Sequence, residues 1–164
     1  MQTYITSDNH FYHYAIIRHA SRPFRTVQEM NQYMIEGWRG IVSNHDLVIH
    51  LGDFAPFKWK KAIMSIKKQL TGTIILILGN HDSARRMRKC GFTVTKEPLI
   101  IDNIIMTHRP MRFVPKGFVN LHGHIHHRQW NGNRINCCVE HTNYEPVNIE
   151  KYFKQADKIL EKSK

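Results

Sequence analysis

Residues 73–78 read Thr-Ile-Ile-Leu-Ile-Leu and stop at Gly79. A half-buried strand alternates apolar and polar positions, so a run apolar throughout needs cover on both faces. This segment fits a strand with a layer on each side, and strands alternating with helices in the first half imply a layered α/β domain. The flanking sequence agrees. Residues 2–7 and 46–51 read as further short strands, the latter ending at Gly52. Between them Thr26-Val27-Gln28-Glu29 has the form of a capping box. Val27, Met30, Met34, Trp38 and Ile41 recur behind it at helical spacing, which predicts a helix over 27–42. His13 to Ala20 predicts a helical turn or two, stopped near Pro23. Trp59, Ala62, Ile63, Ile66 and Leu70 mark another helix. Ile149, Tyr152, Phe153, Ala156, Ile159 and Leu160 mark a C-terminal amphipathic one. Later strands are expected at 104–107, 118–122 and 134–140, close enough together to predict a mixed sheet or a second sheet stacked on the first. With 164 residues and no repeat, linker or low-complexity tract, the chain is expected to form one domain, residues 1–164.

The polar residues that stand out follow these strands. Asp8 and His10 come after the first, Gly52-Asp53 after the second and Gly79-Asn80-His81-Asp82 after the third. His108 follows 104–107, and Gly123-His124-Ile125-His126 follows 118–122. Ligands of open α/β sheets bind beyond the carboxyl ends of the strands, so five loops are expected to converge on one rim. They bring oxygen and nitrogen donors that suit divalent manganese, iron, cobalt, nickel or zinc. In Asp8-Asn9-His10 and His124-Ile125-His126, alternate side chains would share one side of an extended segment. The glycines at 52, 79 and 123 would permit positive φ or a close backbone approach.

Taken in order, these blocks resemble the complete motif set of the calcineurin-like metallophosphoesterase superfamily. The runs SDNHFYHYAII, Arg22-Pro23-Phe24, HLGDF and Asn143-Tyr144-Glu145-Pro146-Val147 are similar to a small bacterial and phage branch of it. The resemblance covers about residues 1–150 and implies a four-layer α/β/β/α sandwich with two central mixed β-sheets. It also implies two divalent metal ions, manganese first, at the strand ends. Asp8, His10 and His126 would hold one ion, Asn80, His108 and His124 the other, and Asp53 would bridge them. His81 would protonate the leaving group, with Asp82 as its orienting partner. Hydrolysis of a phosphate ester by a metal-bound hydroxide is the expected reaction. Arg109, Arg22 and Arg25 are candidate phosphate contacts, and Glu140 is read either as structural or as a group behind the ligands.

Composition bears on substrate and compartment. Apolar residues make up 41% and charged residues 23%, ordinary for a globular chain, while 24 Lys and Arg against 13 acids leave a formal charge of +11. Such a surface attracts polyanions. Two divalent ions against two carboxylates and a hydroxide leave about one positive charge, which matches a diester better than a monoester. Phosphodiesters of nucleotides or nucleic acid are therefore the expected substrates, with a phosphomonoesterase on the same site as the alternative. A non-catalytic scaffold of this fold is disfavoured by the intact His81 and ligand set. A plain nucleic-acid binder is disfavoured because no recognition helix or RNP-like motif is present. The N-terminal residues lack a signal-peptide pattern, no apolar run is long enough to span a membrane, and the odd cysteine count (Cys90, Cys137, Cys138) argues against a disulfide framework. A soluble cytoplasmic protein is expected.

Overall fold

The computed structural model describes residues 1–56, 60–95 and 98–162. Its elements run β1 (Thr3–Thr6), α1 (Tyr14–His19), α2 (Val27–Ile41), β2 (Leu47–His50), α3 (Lys60–Gln69), β3 (Thr73–Ile77), α4 (Ala84–Lys89) and β4 (Thr93–Thr95). They continue with β5 (Leu99–Ile101), β6 (Ile104–Thr107), β7 (Val119–His122), β8 (Arg134–Asn136), a 3-10 turn (Val139–His141), β9 (Val147–Asn148) and α5 (Ile149–Glu161). Two sheets form, in the orders β4-β3-β2-β1-β9 and β5-β6-β7-β8. Both are mixed: β1 to β4 run parallel with β9 antiparallel, and β6 to β8 run parallel with β5 antiparallel.

The apolar run at 73–78 does what its pattern requires. Ile74 and Leu76 join the helices on one face of the first sheet, and Ile77 joins the second sheet on the other. Neighbouring strands divide alike, with Tyr4 and Val48 on the helical side and Ile5 and Ile49 between the sheets. On the helical side α2 buries Met30, Met34, Ile35 and Trp38, and α3 adds Ile63 and Ile66. The expected position Trp59 lies outside the described residues. The cap of α2 forms as read: Thr26 Oγ1 accepts from the Glu29 N–H at 3.1 Å, while the Glu29 carboxylate accepts from the Arg25 N–H at 2.8 Å. Ile104, Met106, Val119, Leu121 and Ile135 fill the space between the sheets, and α5 lays Ile149, Tyr152 and Ala156 into it. Among the described residues no helix is long and apolar enough to cross a membrane.

The strand expected over 134–140 stops at Asn136, because the chain turns through the 3-10 segment Val139–His141. Cys137 and Cys138 therefore lie beyond the strand, yet both are buried. Cys137 packs between the sheets, whereas the Cys138 thiol reaches Asp8.

Candidate metal centre

The parallel strands β1, β2, β3, β6 and β7 deliver their following loops to one rim, and the loops are tied there by backbone bonds. The Asp8 N–H donates to the Gly52 carbonyl, the His10 N–H to the Asp53 carbonyl and the Gly123 N–H to the His108 carbonyl. The segments are not extended, contrary to the reading of the two alternating motifs. Asp8, His10, Asp53, His124 and His126 all have φ between 51° and 72°. Such left-handed residues curl the chain at the strand end, and each costs about 1 kcal/mol or more, offset by the surrounding fold. Gly52 has φ 105°, whereas Gly123 serves close approach: a Cβ there would collide with Ser7 Oγ and Asp8 Oδ2.

The hydrogen bonds specify which atoms remain for a ligand. Asp8 Oδ2 accepts from the Ser7 hydroxyl, the His124 N–H and the Cys138 thiol. Its Oδ1 is buried without a hydrogen-bond partner, as is His10 Nε2, 3.8 Å away. Asp53 divides likewise. Its Oδ1 accepts from the His81 N–H at 2.8 Å, while its Oδ2 lies 3.5 Å from both His10 Nε2 and His108 Nε2. His108 Nδ1 is 2.9 Å from the Leu51 carbonyl, which only accepts, so Nδ1 carries the proton and the Nε2 lone pair faces Asn80 Oδ1 at 3.2 Å. His126 Nδ1 is fixed by Glu140 Oε1 at 3.1 Å in the same way.

Four groups of donors lie close together among the described residues, and two of them match the expected ligand sets. Asp8, His10 and His126 can each place a ligand atom within 4.8 Å of the others, and so can Asp53, His108 and His124. Donors ~2.0–2.2 Å from one ion stand roughly 3–4 Å apart, so the spacings above suit two ions side by side. Orphaned Asp8 Oδ1 and His10 Nε2 are the strongest sign of fit, because buried polar atoms otherwise find partners.

The electrostatics follow from the packing. Burial opposes ionisation of Asp8, but His10, Ser7 and the nearby His108 outweigh it and hold the carboxyl well below the usual range. Burial holds His10 below its ordinary value against the pull of Asp8. Burial likewise depresses His124, helped by His108 and Arg109. For His126 burial acts downward, but the Glu140 carboxylate raises it.

Two expected roles change, and one open reading closes. Arg22 is not a substrate contact. It is buried, bonds Glu140 through Nε and Nη2 at 2.9 and 2.8 Å, and donates to the Asn9 and Asp8 carbonyls. It thus braces the first loop from behind. Glu140 is the partner of both Arg22 and His126, which resolves its reading in favour of a group behind the ligands. Asp82 does not orient the His81 ring, since its carboxylate accepts from the backbone N–H groups of Asp53, Phe54 and Gly79 at 2.7, 3.1 and 2.9 Å. Burial pushes its carboxyl up to about 6 against those donors. Arg25 is exposed beside the start of α2, bonded to Glu29 through its backbone. Arg109 is exposed next to His108, near enough for its charge to act on His124.

Sequence reasoning missed His50, Asn9 and His13. Buried His50 accepts from the Gly52 N–H through Nδ1, so its Nε2–H donates to Asn9 Oδ1 at 2.8 Å. Burial holds it neutral, down to about 3. The only available signal was its place at the end of an apolar strand directly before Gly52-Asp53. His13 lies beside His10 and His81, with ring centroids 5.2 and 5.4 Å away.

Asp82→Ala leaves the N–H groups of Asp53, Phe54 and Gly79 without their acceptor. At the low end of about 1–3 kcal/mol per unsatisfied group, since water can enter the space the side chain leaves, the three groups lose roughly 3–5 kcal/mol in all. Thermal unfolding should show Tm lower by roughly 5–15 °C. Asp82→Asn, which keeps one acceptor oxygen, should recover part of it. An unchanged Tm with lower turnover would instead return Asp82 to the role of orienting His81.

The comparisons with known proteins bear on the fold and the family. An uncharacterized protein of Methanocaldococcus jannaschii is 34% identical over 94% of this chain and 91% of its own length. A protein of unknown function from Aquifex aeolicus superposes with a TM-score of 0.72 at 25% identity, over 94% of this chain and 98% of that one. Pseudomonas putida nuclease MPE shares the fold, with a TM-score of 0.55 at 18% identity over 76% of this chain and 61% of the nuclease. The profile of the calcineurin-like phosphoesterases matches residues 1–163. The chain therefore belongs to the calcineurin-like phosphoesterase family, whose members are metal-dependent hydrolases of phosphate esters.

Proposed function

We propose that the chain is a phosphodiesterase with a dinuclear centre, Asp8, His10 and His126 holding one ion, Asn80, His108 and His124 the other, and Asp53 both. The observation that carries this reading is Asp53 Oδ2, 3.5 Å from a nitrogen of each set. Ligands come from both sheets, which supports treating residues 1–164 as one catalytic domain. Oxygen and imidazole donors without thiolate make manganese the first ion to try.

When bound, such ions neutralise phosphate charge and make water acidic enough to attack near neutral pH. The chain supplies the rest. The carboxylates of Asp8 and Asp53 fix the charge of the inner shell, and neutral Asn80 keeps that shell positive toward an anion. Arg109 offers a guanidinium to a non-bridging oxygen. His81, held by its backbone on Asp53 Oδ1, gives a proton to the leaving oxygen.

The basic surface supports a nucleotide or nucleic-acid diester. Lys60 at the start of α3 and Arg85, Arg86 and Lys89 of α4 gather round a pocket of about 340 Å³ that also includes Ser83. Ser83 is two residues beyond His81 in the chain. Each strand phosphate neutralised contributes about −0.7 to the slope of log affinity against log salt for single strands. Hence kcat/KM for a short oligonucleotide should fall steeply with added salt, while that for an aryl phosphodiester should hardly change. A salt series on both, at equal metal loading, tests the substrate class. Equal slopes would separate the basic surface from function, and faster cleavage of a monoester would overturn the diester assignment.

A further inference from the structure

His10 and His13 face each other through the same ring atom, with the two Nδ1 nitrogens 3.2 Å apart. A tight turn enforces the pairing: the His13 N–H donates to the His10 carbonyl, and the Tyr12 N–H is pinned to Asn31 Oδ1 of α2. His10 and Tyr12 both occupy the left-handed region, with φ 51° and 61°. Two ring nitrogens at this distance bond only when one carries the hydrogen and the other a lone pair. His10 Nε2 is the buried atom without a partner, 3.5 Å from the shared oxygen of Asp53.

We infer that His13 is a phosphate-contacting residue of this site, with its outward Nε2–H set by ligation of His10. The inference rests on the metal-centre reading above. The steps concern tautomers and transfer no net charge. If His10 gives its Nε2 lone pair to an ion, the one hydrogen of its neutral ring stands on Nδ1. That hydrogen is donated to His13 Nδ1, so His13 carries its own hydrogen on Nε2, at the far end of the ring. Among the described residues nothing is bonded to that Nε2. The His13 ring is partly exposed, and its centroid lies 5.4 Å from that of the His81 ring, the proposed proton donor. Filling the metal site thus sets a neutral donor beside the proton donor His81. His13 also supports the ligand behind it, as the partner that fixes the His10 ring.

Two variants separate the two duties. His13→Phe keeps a ring but loses both nitrogens, whereas His13→Asn keeps an acceptor where Nδ1 stands and loses the distant donor. The probes are zinc alone, measured by competition with a chelator, and inorganic phosphate titrated into the zinc-loaded protein. His13→Phe should bind zinc about 10- to 100-fold more weakly. His13→Asn should recover most of that affinity, yet bind phosphate about tenfold more weakly than wild type. In ¹⁵N-labelled wild type, long-range proton–nitrogen spectra should place the His13 hydrogen on Nε2 once zinc is bound. A hydrogen on Nδ1 of His13 in the zinc-loaded protein, or wild-type phosphate affinity in both variants, would overturn the inference and leave the metal centre intact. Failure of the wild type to bind zinc would overturn the centre and this inference together.

Discussion

Asp53→Ala is expected to lose hydrolysis by about 10³-fold or more and to impair both metal sites at once. Loss of a partner that only supports a ligand costs about 10–100-fold in metal affinity or activity. Asp53 is more than such a partner, since its Oδ2 stands between His10 Nε2 and His108 Nε2. The fold should survive, because the backbone N–H of residue 53 still donates to Asp82 and its carbonyl still accepts from His10. Elemental analysis of the variant should therefore find fewer ions per chain with a nearly wild-type unfolding curve. If two ions remained bound to Asp53→Ala, the bridging role would be wrong.

His81→Ala is expected to keep metal affinity and to lower kcat by about 10²-fold or more, the usual cost of a lost general acid. The interaction that ties this position to the centre is its backbone N–H on Asp53 Oδ1, which alanine retains. The imidazole is therefore free for chemistry, beside the rings of His10 and His13 at 5.0 and 5.4 Å. The defect should shrink on a nitrophenyl ester, whose leaving group needs little protonation, and be full on an alkyl or ribose ester. Turnover of a poor-leaving-group ester at the wild-type rate would remove His81 from proton transfer.

The elements legible in advance carried local signals. Thr26 and Glu29 announced the start of α2, and the unbroken apolar run at 73–78 required a layer on each face. By contrast, α4 reads ARRMRK, with Met87 as its one buried residue, so no stripe marked it. Strands β4 and β5 have three residues each and β9 has two, too short for a period to show. The seven proposed ligands were visible because each follows a strand end and has the side-chain type of a donor. What stands behind them was not. Arg22 and Glu140 are 118 positions apart, and only the stacking of both sheets brings them together. Arg22 looked like a substrate contact because arginine close in sequence to a metal loop is ambiguous until its burial is known. Asp82 was misread for a similar reason, since a carboxylate next to a histidine suggests a side-chain pair, while the turn after β3 aims it at backbone donors.

The proposed centre holds two ions that share Asp53 and cleaves a phosphodiester. The direct test titrates metal-free protein with manganese while ions per chain and hydrolysis of an aryl phosphodiester are followed together. Two ions per chain, with activity rising as the second binds, is the expected result. Full activity with a single ion bound, or no hydrolysis with both sites filled, would contradict it.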